Sequence, residues 1–302
     1  MHFRLRLIVS VFAVAFGCAA QAATYSIEDE AVGETARYTV QQEDTLYSVA
    51  RHFDLGIVEL LAANPDVDAW VPEEDTELVL PTMHVLPAAP HRGIVINLPE
   101  LRLFYFSSPD VVMTFPIGIG MEGWRTPVGL AAIIDKRANP AWVPPESMRA
   151  QNPALPKMIP PGSDNPLGAY ALYLNWQGYR IHGTNRPQGI GVRSSHGCIR
   201  LYPEDIEVLF KAVKEGTAVH IVDQPYKLGW KGDTLYLEVV PTQEQLDTIA
   251  EYESPLPASV EGVHKAVRQK AGGESDIDWY EVDNALMEHN GIPVVIAHRS
   301  RH

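Results

Sequence analysis

The sequence predicts a mostly β central domain with one helix, preceded by a small strand-helix-helix-strand module and followed by an α/β extension. Short apolar segments of strand-forming residues follow one another over residues 92–223, and the clear helical periodicity among them begins at Pro203. A compact pattern of strand, helix, helix and strand occupies residues 37–82, and residues 83–91 form a proline-containing linker. Residues 224–302 are the extension.

Composition excludes several classes of protein. The chain has 302 residues, of which 46% are hydrophobic and 21% charged, so a globular core is expected and global disorder is not. The formal net charge of -14 argues against coating of nucleic acid, which requires clustered Lys and Arg. Two cysteines are too few for a disulfide scaffold. No internal apolar run approaches the roughly 20 residues of a membrane span.

Residues 1–22 have the pattern of a secretory signal peptide. Two arginines, Arg4 and Arg6, precede an apolar run over residues 7–17, and the sequence Ala-Gln-Ala ends at Ala22. A basic head, a short apolar body and an A-x-A site together predict export and cleavage after Ala22. The alternative is a buried N-terminal helix. Residues 26–34 are then predicted to be a short acidic spacer.

Cleavage leaves Cys198 as the one cysteine of the mature protein. Cys18 lies inside the signal, and the four residues that end at Cys18 lack the leucine usual in a lipoprotein box, so we do not expect a lipid anchor there. Exported proteins normally pair their cysteines because the compartment is oxidising. A lone thiol therefore has no specific role, forms an intermolecular disulfide in a dimer, or acts as a nucleophile.

The module over residues 37–82 is predicted element by element. A strand over residues 38–40 is followed by Asp44, which can cap a first helix of regularly spaced apolar residues. A second helix over residues 57–63 ends before Asn64 and a proline, and a strand returns over residues 77–80.

This module resembles LysM, a binder of glycans that contain N-acetylglucosamine. The resemblance covers residues 37–82 and is carried mainly by Asp44-Thr45-Leu46 and by Asn64-Pro65. It implies glycan contacts from the two loops, near Asp44, Thr45 and Asn64. The alternative is a purely structural module without a ligand.

The central domain and the extension are predicted from strand and turn patterns. Strands are predicted over residues 93–98, 101–106, 111–117, 129–135 and 218–222. Residues 172–176 and 179–182 flank Gln177-Gly178 and predict a hairpin. The helix that begins at Pro203 lies behind the cysteine. The extension is predicted to hold a strand over residues 235–240 and two helices, with an apolar stretch over residues 293–297.

Two short segments carry the chemistry, His182-Gly183-Thr184-Asn185 and the seven residues that end at Arg200. A free cysteine has a pKa of roughly 8.5, so a nucleophilic Cys198 needs an imidazole to take its proton. A glycine just before it, Gly197, lets backbone N–H groups face an oxyanion. Arg200 can hold a substrate carboxylate.

Two histidines compete for the role of base. His196 is two residues from Cys198, and His182 lies sixteen residues before Cys198 at the end of a strand. We predict His182 as the proton acceptor and donor and His196 as an orienting neighbour. The alternative is a zinc site made of His182, His196 and Cys198. No cysteine is available as a fourth ligand and the spacing is atypical, so we predict no metal and no cofactor.

The pattern HGTN…SHGCIRL resembles the L,D-transpeptidase catalytic domain (YkuD) family over about residues 91–223. The resemblance implies that Cys198 is the acylated nucleophile, that His182 is the general base and that amides near Gly197 and Cys198 form the oxyanion hole. Arg200 stands where the family has Arg or Asn, and Ser195 begins the motif. These two residues are predicted to bind substrate, together with Gly183, Arg193 and Trp142.

The family implies acyl transfer on peptidoglycan in the periplasm. The thiol attacks the carbonyl of the third stem residue, usually diaminopimelate, D-Ala leaves, and an amine resolves the thioester; carbapenems typically acylate the same thiol. The order of parts is similar to that of the lipoprotein-anchoring members. The acceptor remains open between a lysine of an outer-membrane lipoprotein, a second diaminopimelate and water. The competing hypothesis is a glycan-binding wall protein with an inactive catalytic domain.

Overall fold

A computed structural model of the chain describes residues 22–252, 260–272 and 276–299. The predicted signal segment up to Gln21, including Cys18, lies outside the described residues. Among the described helices, none has the length and apolar character needed to cross a bilayer.

The first part of the chain contains five short strands and two helices. They are β1 (Ala23–Ser26), β2 (Ala31–Val32), β3 (Ala36–Thr39), α1 (Leu46–His52), α2 (Ile57–Ala63), β4 (Glu77–Leu80) and β5 (His84–Val85). β3 and β4 pair antiparallel, and α1 and α2 pack together beside them. The order strand, helix, helix, strand is the one predicted for the module. Its first helix is capped one residue later than expected, because the Thr45 side chain accepts the Ser48 N–H.

The predicted acidic spacer is wrong as a description of residues 26–34. β1 pairs antiparallel with β8 (Val111–Pro116) at one edge of the main sheet, and β2 pairs with β5. The residues of the expected linker are buried around β5, with Val85 fully inaccessible to solvent. Both segments therefore belong to the folded body of the protein.

The central domain is built on one nine-stranded sheet. Its other elements are β6 (Gly93–Asn97), β7 (Arg102–Ser108), β9 (Ile119–Gly120), β10 (Gly129–Ala138), α3 (Glu146–Gln151), β11 (Tyr170–Leu174), β12 (Arg180–His182), a 3-10 turn (Pro187–Gly189), β13 (Arg193–Ser195), β14 (Ile199–Arg200), α4 (Pro203–Ala212) and β15 (Ala218–Val222). The strand order is β1-β8-β7-β6-β15-β10-β11-β12-β14, and β9 pairs separately with β13. The predicted strands are present with their ends moved by a few residues, and the mostly β fold is confirmed.

The predicted helix behind the cysteine is α4, which packs on β11. Ile206 on α4 is fully buried, and its Cγ2 would lie 3.0 Å from a Cβ placed on residue 183. Gly183 therefore allows close packing between the helix and the end of β12. This contact fixes the position of His182, the last residue of that strand.

The C-terminal extension forms a second sheet with its own core. Its elements are β16 (Tyr226–Lys231), β17 (Thr234–Val239), α5 (Gln243–Tyr252), α6 (Val263–Ala271), β18 (Asp276–Ile277), α7 (Trp279–Glu288) and β19 (Val294–His298). The strand order is β16-β17-β19-β18. The described residues of this part hold three helices where the sequence predicted two. Of these three helices, α5 packs against α2 of the first module.

Candidate active site

A parallel pair of strands carries the candidate base and leads directly from the candidate nucleophile. β12 and β14 run side by side with His182 opposite Arg200, and the Leu201 N–H donates to the His182 carbonyl at 2.9 Å. Cys198 directly precedes β14. Because side chains two residues apart in an extended chain share a face, Cys198 and Arg200 lie on the same face as His182.

Ser195 holds the loop that carries the nucleophile. Its hydroxyl donates to the Cys198 carbonyl at 2.6 Å and accepts the Gly197 N–H at 3.1 Å. The Ser195 side chain is fully buried. Ser195 is thus part of the loop's internal structure, and the Gly197 N–H predicted for the oxyanion hole already has an acceptor.

Gly197 is required by its backbone conformation and its neighbours. Its φ angle is +99°, which disfavours residues with a side chain, and an added Cβ would lie 2.9 Å from the Tyr179 ring. Its carbonyl accepts the Thr126 hydroxyl at 3.0 Å, and the Thr126 Oγ1 in turn accepts the Gly120 N–H at 3.1 Å. The loop is therefore fixed from both sides.

His182 is buried and neutral. Its Nδ1 lies 2.6 Å from the Gly183 carbonyl, which can only accept, so Nδ1 carries the proton and Nε2 keeps its lone pair. The pKa of His182 is lowered to about 3, first by burial and then by the positive charges of Arg200 and Arg180, against the hydrogen bond to Gly183, which acts in the opposite direction. A neutral imidazole with a free Nε2 can accept a proton.

Cys198 is a half-buried free thiol. Its Sγ donates a long hydrogen bond to the Gly178 carbonyl at 3.5 Å. Burial raises the pKa of the Cys198 thiol, while Arg180 and Arg200 act in the opposite direction. In the substrate-free protein the thiol and the imidazole are therefore both uncharged, and a proton has to move when the sulfur attacks.

Two guanidinium groups face this pair, and only one of them was predicted. Arg200 donates from Nη1 to the carbonyl and the hydroxyl of Ser194 at 3.3 Å. Arg180 acts electrostatically on both His182 and Cys198. Arg180 was not predicted from the sequence. It lies two residues before His182 on a predicted strand, so the two side chains are expected on the same face.

His196 lies beside the site against an aromatic ring. It makes an edge-to-face contact with Trp124, with ring centroids 4.8 Å apart. Burial, followed by the charge of Arg200, lowers the pKa of His196. This geometry fits the predicted orienting role better than that of a base.

Two predicted substrate-binding residues have other contacts in the structure. The buried Arg193 guanidinium forms an ion pair at 2.6 Å with Asp247 of α5, whose side chain is 41% exposed, and donates to the Gln243 carbonyl at 2.7 Å. Trp142 pairs through its backbone with Ile159 within the long β10–β11 connection. Arg193 thus connects the extension to β13, and neither residue lies on the loop that carries the thiol.

The three predicted glycan-binding residues make structural hydrogen bonds. The Asp44 carboxylate accepts the Tyr38 hydroxyl at 2.8 Å, and Thr45 caps α1. The buried Asn64 amide bonds in both directions to the backbone of Val79, at 2.8 and 2.9 Å. These bonds explain why the module needs those residue types without any ligand.

The module also carries an exposed tryptophan that lies beside a half-buried tyrosine. Trp70 is 59% exposed, and its ring lies 4.6 Å from that of Tyr47. Tyr47 also lines a groove of about 590 Å³ between the module and the central domain. The other lining residues are Ser48, Arg51, His52, Pro187, Gln188, Tyr202 and Glu204. The groove offers both a flat apolar face and charged hydrogen-bonding groups.

The described residues assemble one group of potential metal ligands, and it is not at the thiol. His84, Glu100 and Glu238 are buried with ligand atoms within 4.8 Å of one another. The Lys227 Nζ lies 2.8 Å from an oxygen of Glu100 and 2.9 Å from an oxygen of Glu238. This lysine supplies the positive charge of the cluster, which joins the linker, the central domain and the extension.

Comparison with known proteins assigns the family. Residues 91–221 match the L,D-transpeptidase catalytic domain (YkuD), and residues 38–81 match the LysM domain. The chain is 37% identical to the probable L,D-transpeptidase YbiS of Escherichia coli (strain K12) over 97% of this chain and 99% of that protein. The chain belongs to the L,D-transpeptidase family. The resemblance stated from the sequence is thereby confirmed.

Two further similarities are a curated relative and a solved structure. The chain is 39% identical to the probable L,D-transpeptidase ErfK/SrfK of Salmonella typhimurium (strain LT2) over 88% of this chain and 87% of that protein. The solved structure of the catalytic domain from the E. faecium L,D-transpeptidase covers 45% of this chain and 100% of that chain, with 22% identity and a TM-score of 0.36.

Proposed function

We propose that this protein is an exported, periplasmic murein L,D-transpeptidase that works through a thioester on Cys198. One observation carries the proposal. A free thiol at the start of β14 and a neutral imidazole at the end of β12 are both acted on by the charges of the same two guanidinium groups, Arg180 and Arg200. This arrangement provides a nucleophile, a base and a binding site for anionic substrate groups.

In the acylation step, Cys198 Sγ attacks the carbonyl of the third residue of a tetrapeptide stem, usually diaminopimelate. The thiol proton passes to His182 Nε2, and negative charge develops on the carbonyl oxygen. The intermediate collapses by breaking the bond to D-Ala, whose amine takes the proton from His182. Because the Gly197 N–H is bonded to Ser195, the Cys198 N–H is our candidate donor to the oxyanion.

In the second step, an acceptor amine attacks the thioester. The amine gives its proton to His182, the carbon–sulfur bond breaks, and the thiol of Cys198 is regenerated. A lysine of an outer-membrane lipoprotein or a second diaminopimelate yields a new amide, whereas water yields a free carboxylate.

Substrate carboxylates have two candidate partners. The buried Nε atoms of Arg180 and Arg200 lack hydrogen-bond partners within the described residues. A buried unpaired donor on a guanidinium is costly, and a substrate carboxylate would satisfy it. We infer that Arg180 and Arg200 position the anionic stem for attack.

The LysM module is proposed to hold the enzyme on glycan strands. The exposed Trp70, whose ring lies against the half-buried Tyr47, supports this role, because aromatic faces pack well against sugar rings. Tethering raises the local concentration of stem peptides without new contacts at the thiol. Trp70→Ala should weaken binding to sacculi and leave the turnover of a soluble muropeptide unchanged.

The test is incubation of the mature protein with disaccharide-tetrapeptide, with and without an added amine. We expect release of D-Ala together with a product whose mass identifies the acceptor. Cys198→Ala should abolish release and retain sacculus binding. Binding without release by the wild-type protein would instead favour the glycan-binding hypothesis, and release that is independent of Cys198 would refute the proposed nucleophile.

A further inference from the structure

The backbone nitrogen of Ala23 lies against a buried carboxylate. Ala23 begins β1, where it pairs with Thr114 of β8, and its N–H donates to Asp54 Oδ2 at 3.1 Å. Ala23 is also the residue that follows the predicted cleavage site, Ala22. In the processed protein this nitrogen is therefore a terminal amine in place of a peptide amide.

Asp54 belongs to a buried cluster in which negative groups outnumber positive ones. The cluster joins Asp54 and Glu59 of the LysM module to Arg102 of β7 and Asp205 of α4. Asp54 and Asp205 are 6% and 2% exposed, and Arg102 is 1% exposed. Arg102 donates to Glu59 Oε2 at 2.7 Å and to the Asp54 backbone carbonyl at 3.2 Å. One guanidinium thus faces three carboxyl groups.

The Asp54 and Asp205 carboxyl groups hydrogen-bond to each other, so one of the two holds a proton, while Asp54 Oδ1 and Asp205 Oδ2 have no hydrogen-bond partner within the described residues. Burial raises the pKa of Asp54 to about 6, and burial beside Asp54 raises the pKa of Asp205 well above its ordinary value. Buried carboxyl groups behave in this way when they lack a cation. The cluster, as it stands with an amide at Ala23, is short of positive charge.

We propose that removal of the signal peptide completes this cluster, because the new α-ammonium group of Ala23 forms an ion pair with the Asp54 carboxylate. Hydrolysis by a signal peptidase breaks the Ala22–Ala23 amide bond. Water gives its hydroxyl to the Ala22 carbonyl carbon and one proton to the Ala23 nitrogen, and the new Ala22 carboxylic acid then loses its proton, so that the amine becomes an ammonium with three protons. A single N–H donor thereby becomes a cation with three donors at a position already within hydrogen-bond distance of Asp54.

The ion pair stabilises the contact between the module and the catalytic domain. Asp54 lies between α1 and α2, while Asp205 lies in the first turn of α4, whose next residue, Ile206, packs against Gly183. The processed N-terminus therefore ties the LysM module to the helix that supports His182. The exported form should be more stable than any form in which Ala23 remains an amide.

The experiment compares two N-termini on otherwise identical proteins. One protein begins at Ala23, released from a cleavable fusion, and the other carries one additional glycine before Ala23. We expect the glycine to lower Tm by about 5 °C, since a buried ion pair is lost and about 1 kcal/mol corresponds to roughly 2–4 °C in a protein of this size. In an Asp54→Asn background the glycine should have little further effect. Glu28→Gln, which removes an exposed carboxylate near the same strand, is the matched control and should keep the full difference.

Acylation of the terminal amine provides a second readout that does not depend on the stability of variants. Each unit by which Asp54 raises the amine pKa slows labelling at neutral pH about tenfold. We expect the Ala23 amine to react at least about tenfold more slowly than the glycine amine. Equal Tm values, equal labelling rates, or a Tm difference that persists in Asp54→Asn would overturn the ion pair. The mass of the protein exported from the full-length gene tests the cleavage site separately, and none of these readouts depends on the proposed enzymatic activity.

Discussion

The protonation state of Cys198 leads to a quantitative prediction for its reactivity. Burial raises the pKa of the Cys198 thiol in the substrate-free protein. Because an ordinary thiol has a pKa of roughly 8.5, the thiolate fraction at pH 7 is then below about 3%, and alkylation by iodoacetamide should be at least about 30-fold slower than at its alkaline limit. The rate should rise roughly tenfold per pH unit between about pH 7 and 8. Since Cys198 is the one cysteine of the predicted mature protein, the modification reports on a single site.

Variants of the neighbouring charged and basic groups test the cause. His182 is already neutral, because its pKa is lowered to about 3, so His182→Ala should leave the alkylation profile nearly unchanged while it abolishes acyl transfer. Arg180→Gln removes a positive charge that favours the thiolate and should move the alkylation midpoint upward by roughly one unit.

A resting thiolate–imidazolium pair would contradict this reasoning. It would give an alkylation rate that is already maximal at pH 7 and that falls on acidification with a midpoint near pH 5 or 6. It would also make His182→Ala lose the fast reaction.

Three further changes test the buried polar contacts. Ser195→Ala leaves the Gly197 N–H and the Cys198 carbonyl without their partner, so we expect a loss of about 2 kcal/mol in unfolding free energy and at least about 100-fold in kcat. Arg193→Gln breaks the ion pair with Asp247; it should lower stability by about 2 kcal/mol and expose α5 to protease, and an increase in KM with unchanged stability would instead support substrate binding. Glu238 keeps its proton in the fold, because burial raises its pKa to about 8. The contribution of Glu238 to the free energy of unfolding is therefore fully present below about pH 4.5 and is lost as pH rises through 8. The free energy of unfolding of the wild-type protein should decline between pH 5 and 9, and Glu238→Gln should make that decline smaller by about 2 kcal/mol, as measured by urea unfolding.

Local signals account for the parts of the fold that the sequence predicted well. α2 and β4 have the predicted bounds, since Gly56 begins the helix and the Asn64-Pro65 dipeptide ends it. The motif that ends at Arg200 placed Cys198 next to the short strand β14, which pairs with the strand that ends at His182.

Long-range pairings account for what the sequence did not show. β1 pairs with β8, about ninety residues away, and no local sequence pattern predicts that pairing. The sequence does not show that Arg193 pairs with Asp247, because the two residues are 54 positions apart. It likewise does not show that the amide of Asn64 forms hydrogen bonds with the backbone of Val79.

The most direct test of the thioester mechanism is the mass of the intact protein during turnover. Mature enzyme mixed with disaccharide-tetrapeptide and quenched in acid should carry an adduct equal to the substrate minus D-Ala. Peptide mapping should locate that adduct on Cys198, and Cys198→Ala should show none. Release of D-Ala at an undiminished rate by Cys198→Ala, or an adduct on another residue, would contradict the thioester mechanism.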